Sequence, residues 1–268
     1  MPKPRSRGPV TLTPREVEGM RKAGALAARI LDEVAGMVKP GVSTGAINDL
    51  VDRLTREAGA TSGPYRYTGG GDTPFPKHCC TSVNEVVCHG IPSEKHVLRE
   101  GDIINVDVTP VLDGYYGDTS RTYLVGKVSA EARRLVAATE GALKAGIQAV
   151  RPGATVGDIG AAIQAFIQPT GLSIVRQFAG HGIGRVFHGP PSIAHYGKAG
   201  TGDPLLPGMT FTIEPMINVG DWRCRMLDDG WTAITADRQL SAQFEHTLTV
   251  TESGYEIHTV GRERIGVP

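Results

Sequence analysis

The run Gly101-Asp-Ile-Ile-Asn-Val-Asp-Val-Thr109, followed by Asp113-Gly-Tyr-Tyr-Gly-Asp-Thr119, constrains the fold most. Ile103, Ile104, Val106 and Val108 form an apolar segment of strand length bounded by Gly101 and Pro110. Asp107 interrupts it. Aspartate is a poor strand former, and a carboxylate is seldom buried unless it is paired or bound to a cation. Asp113-Gly114 has the chemistry of a hairpin turn, which doubles the chain back and brings Asp118 beside Asp107. Two carboxylates so placed repel, and a cation, a shared proton or a basic partner has to hold them. The competing reading is one exposed edge-strand Asp and one turn Asp, and the pair alone does not choose between them.

The flanking chain is read from its helix signals. Thr13-Pro14-Arg15-Glu16 has an N-cap, a first-position proline and a third-position glutamate, so a helix is expected to about Met37. A second runs from Ser43 or Thr44 to near Gly59, with Ile47, Leu50, Val51 and Leu54 on one face. Residues 63–76 read as a glycine-rich loop and residues 80–87 as one strand. From Ser129 the design recurs, with helices expected over about 130–150 and 156–167. Arg151-Pro-Gly-Ala-Thr-Val-Gly-Asp-Ile159 echoes Lys39-Pro-Gly-Val-Ser-Thr-Gly-Ala-Ile47. Leu206-Pro-Gly-Met-Thr-Phe-Thr-Ile-Glu214 echoes Leu98-Arg-Glu-Gly-Asp-Ile-Ile-Asn-Val-Asp107, with an acid six residues past the glycine in both. Chance likeness of Pro-Gly turns does not explain the matched acid.

The expected architecture is therefore α+β, with two pseudo-symmetric helix-helix-strand-strand halves and helices outside a curved antiparallel sheet. Residues 1–12 read as a flexible basic arm carrying Lys3, Arg5 and Arg7. Residues 13–268 read as a single catalytic domain with halves of about 13–128 and 129–252. Lys and Arg together number 28, as do Asp and Glu, so the net charge is zero. That argues against a specific nucleic-acid or membrane-surface partner held by bulk charge. No signal peptide or membrane-spanning run is evident, and the four cysteines fit neither a disulfide framework nor a thiolate zinc site, so a cytoplasmic protein is expected.

In the repeat, Glu214 is the counterpart of Asp107, and Glu245, inside Ser241-Ala-Gln-Phe-Glu245-His246, is by position the counterpart of Asp118. The cluster Gly180-His181-Gly-Ile-Gly-Arg-Val-Phe-His188 adds imidazoles on a glycine-rich backbone. Four converging carboxylates are balanced in charge by two divalent cations, and an oxygen-rich, thiolate-free set with one imidazole suits Mn, Fe, Co or Zn at a hydrolytic centre.

The chain resembles the type I methionine aminopeptidases, members of the pita-bread metallopeptidase family. The likeness rests on Ser82-Val-Asn-Glu-Val-Val-Cys-His89-Gly-Ile-Pro92, Asn105-Val-Asp107-Val, Gly114-Tyr-Tyr-Gly-Asp118-Thr-Ser, Gly180-His181-Gly-Ile-Gly, Thr210-Phe-Thr-Ile-Glu214-Pro215 and Ala242-Gln-Phe-Glu245-His246. It implies two divalent metal ions (Co, Mn, Fe or Zn) on Asp107, Asp118, His181, Glu214 and Glu245, with Asp118 and Glu245 bridging both. It further implies His89 near the substrate's N-terminal side, His188 as donor to the scissile carbonyl, and Glu214 as carrier of a proton to the leaving amine. The implied activity is removal of the initiator methionine from nascent polypeptides by a monomeric enzyme, favouring small second residues.

Phe75, Cys80, Phe187 and Trp231 match the family's methionine pocket, although core packing competes as an explanation for the last three. The loop Tyr67-Thr-Gly-Gly-Gly-Asp-Thr-Pro-Phe75 departs from the family's aromatic-rich pattern, which leaves one pocket wall, over Gly69 to Pro74, undefined. The basic arm is a candidate for transient ribosome contact. Two other readings compete: a proline-specific peptidase of the same fold (Xaa-Pro aminopeptidase or prolidase), and a non-catalytic peptide-binding module. The remaining histidines, His78, His96, His195, His246 and His258, are expected on the surface or in packing, with His246 on the strand face opposite Glu245.

Overall fold

The computed structural model describes residues 10–69 and 71–261. Residues 1–9 of the expected arm, with Lys3, Arg5 and Arg7, lie outside the described residues, whereas Thr11 bridges to Met209 and Leu12 N donates to Gly208 O. Four long helices carry the outer layer: α1 (Pro14–Met37), α2 (Thr44–Glu57), α3 (Ala130–Gln148) and α4 (Val156–Ile167). Each starts where a side chain can satisfy the free amides of the first turn. Thr13 and Glu16 form a capping box on α1, and Ser43 and Ser129 accept from Ala46 N and Ala132 N. Thr155 and Asp158 close a second box on α4. The third helix ends at Gln148, two residues short of the position expected from sequence, because the backbone tightens there: Val150 N bonds to Ile147 O.

Every strand pairing among the described residues is antiparallel. With the helices, this makes the chain α+β. Ile103–Val108 is the centre of a three-stranded sheet, flanked by Cys80–Val83 and Thr119–Leu124. Thr210–Ile213 lies between Gly180–Gly182 and His246–Val250 in a five-stranded sheet. The single strand expected over 80–87 is instead two. Asn84 turns the chain with φ of 54°, so Cys80–Val83 joins Ile103–Val108 while Val86–Cys88 pairs with Ala233–Thr235. The expected turn at Asp113-Gly114 is present, with φ of 53° and 79° at the two residues, and Leu112 faces Tyr115 across it.

Strand alternation sorts the residues onto two faces. Ile104, Val106 and Val108 pack with Leu31 and Val34 of α1 and Ile47 and Val51 of α2. Phe211, Ile213 and Leu248 pack with Leu135, Leu143 and Ile147 of α3 and Ile159 and Ile163 of α4. The opposite faces of these strands meet in a buried polar seam. Asn105 Nδ2 and Thr122 Oγ1 both donate to Gln243 O, at 2.8 and 2.7 Å. Thr119 Oγ1 donates to Glu245 O, and Thr247 Oγ1 to Asp118 O, both at 2.7 Å. These bonds give backbone carbonyls of one segment a side-chain donor from another, and they fix the relative position of the two acid-bearing segments.

Gly117 shows how tightly this arrangement is set. A methyl group there would collide with the backbone carbonyl of Ala23 in α1, which cannot swing away. Gly117→Ala is therefore expected to destabilise the protein by about 1–3 kcal/mol through overpacking. Urea unfolding checks this; an unchanged midpoint would show that α1 can move aside.

Candidate metal centre and its cavity

Asp107 occupies the strand face opposite Val106 and Val108, and Asp118 stands just before the partner strand, in which Ser120 faces Asp107. Glu214 follows Thr210–Ile213, and Glu245 precedes His246–Val250. His181 is the middle residue of Gly180–Gly182. Its flanking glycines lie against the carbonyls of Thr212 and Pro190, where a side chain would not fit.

The structure brings Asp118, His181 and Glu245 together, with one ligand atom from each within 4.8 Å of the others. His181 Nε2 lies 3.6 Å from both Asp118 Oδ2 and Glu214 Oε1. Asp107 lines the same cavity but stands outside that tight group. The cavity encloses about 370 Å³. Its wall also carries His89, His188, Phe75, Cys80, Phe187 and Trp231, so every site residue expected from the sequence reaches one space.

Burial dominates the electrostatics. Asp118 and Glu245 are 3% and 2% exposed. Desolvation pushes Asp107 up to about 7 and Glu214 up to about 8, and it holds Asp118 and Glu245 well above the carboxylate range, with mutual repulsion adding to both. Among the described residues, no Lys or Arg pairs with these four acids. The imidazoles do not compensate either, because burial lowers His181 to about 3 and His89 and His188 to about 4. One further observation points to a cation: Asp107 Oδ1 is buried without a hydrogen-bond partner. Buried oxygen donors, a neutral imidazole and an orphaned carboxylate oxygen fit divalent metal ions.

Several residues that hold the acids were not singled out from the sequence. Thr109 Oγ1 donates to Asp118 Oδ1 at 2.8 Å, and Thr212 Oγ1 to Glu214 Oε1 at 2.7 Å. Gln243 Nε2 reaches Glu214 Oε2 at 3.3 Å. His195, expected on the surface or in packing, is buried, and its Nε2 accepts from Glu214 N at 3.1 Å. Its signal was hidden because the bond is to a backbone amide far along the chain. His246 turns to Thr259 Oγ1 at 2.8 Å, and His258 to Thr249 Oγ1 at 2.6 Å.

Tyr67, Gly69 and Phe75 of the unusual loop line the cavity. Arg66 N donates to Phe75 O and Phe75 N to Tyr67 O, so the segment between them is pinched at a neck. Trp231 Nε1 donates to Thr73 O at 3.0 Å and ties the loop to the far wall. Tyr67, Phe75 and Trp231 thus supply the wall that the sequence left undefined, with ring centroids 6.5 Å apart for Tyr67–Trp231 and 5.3 Å for Phe75–Trp231.

Residues 18–252 match metallopeptidase family M24. The chain belongs to this family. It is 58% identical over 250 residues to methionine aminopeptidase A of Synechocystis sp., covering 93% of this chain and 97% of the relative. It is 47% identical over 252 residues to the methionine aminopeptidase of Escherichia coli, covering 94% of each. The crystal structure of methionine aminopeptidase from Rickettsia prowazekii superposes with a TM-score of 0.90 at 50% identity, over 94% of this chain and all of that one. Prolidase from Pyrococcus furiosus shares the fold at 21% identity and a TM-score of 0.75, and this chain covers 66% of it. Membership of M24 makes the pita-bread fold and a metallopeptidase activity properties of this chain.

The raised carboxyl values carry a pH dependence for the metal-free protein. The native acids bind protons more tightly than the unfolded chain does, so stability falls as pH climbs from the ordinary carboxylate values of 3.8 and 4.5 through about 7 and about 8. Chelated protein should lose on the order of 5 °C of melting temperature across this interval, and added divalent metal should remove the loss. A chelated protein with a flat profile would contradict this reading.

Proposed function

We propose that this chain removes the N-terminal methionine from nascent proteins and peptides by metal-assisted hydrolysis, favouring substrates with a small second residue. The observation that carries this reading is the meeting of two unlike surfaces in one cavity. An apolar wall of Phe75, Cys80, Phe187 and Trp231 adjoins the carboxylate–imidazole centre. Such a wall suits a thioether side chain, while the adjoining acids suit cations. The 47–58% identity to methionine aminopeptidases over nearly the whole chain supports the same substrate.

In this reading Asp107, Asp118, His181, Glu214 and Glu245 are the residues that would hold two divalent ions (Co, Mn, Fe or Zn). Such ions, when bound, would lower the pKa of a water and polarise a carbonyl. Glu214, its Oε1 fixed by Thr212 and its Oε2 by Gln243, carries the proton to the leaving amine. His188 donates from its ring to the carbonyl oxygen as negative charge develops there. His89, held by an edge-on contact with Phe178 at 5.6 Å, borders the substrate's N-terminal side. We take residues 13–268 as one catalytic domain, acting as a monomer in the cytoplasm. Free cysteines accord with that compartment, and no helix among the described residues is long and apolar enough to cross a membrane.

The decisive assay compares Met-Ala-Ser with an Xaa-Pro peptide, using chelated protein and protein reloaded with Mn or Co. Methionine release only with metal is expected; Xaa-Pro cleavage without methionine release would assign the chain to the proline-specific branch. No turnover of either, with metal bound, would favour a binding module. His188→Ala should lower kcat by about 10²-fold while metal content stays intact. Loss of metal in that variant would contradict the role given to His188.

A further inference from the structure

The geometry points to Tyr67 as a positioning residue that sets the tautomer of His188, so that His188 presents Nε2–H to the cavity. Tyr67 Oη lies 2.7 Å from His188 Nδ1. That leaves Nε2 as the free nitrogen of a ring that lines the cavity. A neutral imidazole has one N–H and one lone pair, so whatever occupies Nδ1 decides what Nε2 can do. If the phenol donates, Nε2 must carry the hydrogen and can serve a carbonyl oxygen. If Nδ1–H donates instead, Nε2 is an acceptor and cannot.

Two observations select the first arrangement. Among the described residues His188 Nδ1 is the one hydrogen-bond partner of the Tyr67 hydroxyl, so donation to Nδ1 gives the phenol proton a protein acceptor. Burial also raises the phenol above its usual value, which keeps the O–H intact at neutral pH. The position is built rather than incidental. The neck bonds between Arg66, Tyr67 and Phe75 hold the Tyr67 backbone, and His188 is stacked on Phe187 with centroids 4.1 Å apart at 25°. The segment that departs most from the family's pattern therefore acts on the chemistry as well as on the pocket wall.

The inference rests on the donor role proposed for His188, and its test separates the two. Tyr67→Phe keeps the ring and its contacts and removes only the hydroxyl. Zinc-loaded protein carrying ¹⁵N-histidine reports the tautomer by long-range ¹⁵N–¹H correlation, with His188→Gln used to assign the signal. The expected result is an Nε2–H His188 in the parent, a mixture of tautomers in Tyr67→Phe, and kcat on Met-Ala-Ser about tenfold lower with KM unchanged. An Nδ1–H His188 in the parent would overturn the inference, as would a variant whose spectrum and kcat match the parent. If the parent releases no methionine, the functional reading fails, while the spectra still decide the tautomer.

Discussion

The structure depends on the cost of gathering Asp107, Asp118, Glu214 and Glu245 where water cannot screen them. Isolated, such a group would neutralise itself by binding protons, and the upward displacement of all four acids is that tendency. The fold holds them in place nonetheless. It does so with hydroxyl and amide donors rather than with cations: Thr109 on Asp118, and Thr212 and Gln243 on Glu214. Neutral donors orient a carboxylate without cancelling its charge. A lysine or arginine in the same place would form an ion pair and leave no field for a metal ion.

The polar seam follows from the same requirement. Acids drawn from four separate strand segments can converge only if those segments keep a fixed register across the junction of two sheets. Hydrophobic packing is non-directional and does not supply it. The bonds from Thr119 to Glu245 O and from Thr247 to Asp118 O do, since each couples one acid-bearing segment to the backbone of another. The outer helices stabilise the sheets by burial, and the seam sets where the acids point.

How much of this was legible in the sequence depends on the range of the interaction. Helix caps at Thr13, Ser43 and Ser129 and the turn at Asp113-Gly114 are local, and they stand where the residue chemistry places them. The acids were legible because a carboxylate inside an apolar strand is anomalous and because Asp107 recurs as Glu214. The break at Asn84 was not, since polar Thr81, Ser82 and Glu85 already share the segment with valines and one more polar residue does not mark a turn. His195 escaped because its bond goes to a backbone amide 19 residues away. Tyr67 escaped because its partner His188 is 121 residues away, brought near only by tertiary structure.

The cavity's composition also bears on why such a site would act on chain ends. An internal peptide segment must continue in both directions, whereas this space is bounded by the Tyr67–Phe75 neck and by Trp231, tied to Thr73 O. A terminal residue needs only one exit. It also carries an amino group, which an internal residue lacks, and the centre offers oxygen donors that no lysine or arginine among the described residues occupies. In the proposed reading the apolar wall would select the side chain, and the acids, with the ions they suit, would favour the free amine. Neither feature alone separates an aminopeptidase from an endopeptidase; in the proposed reading their adjacency in one cavity does.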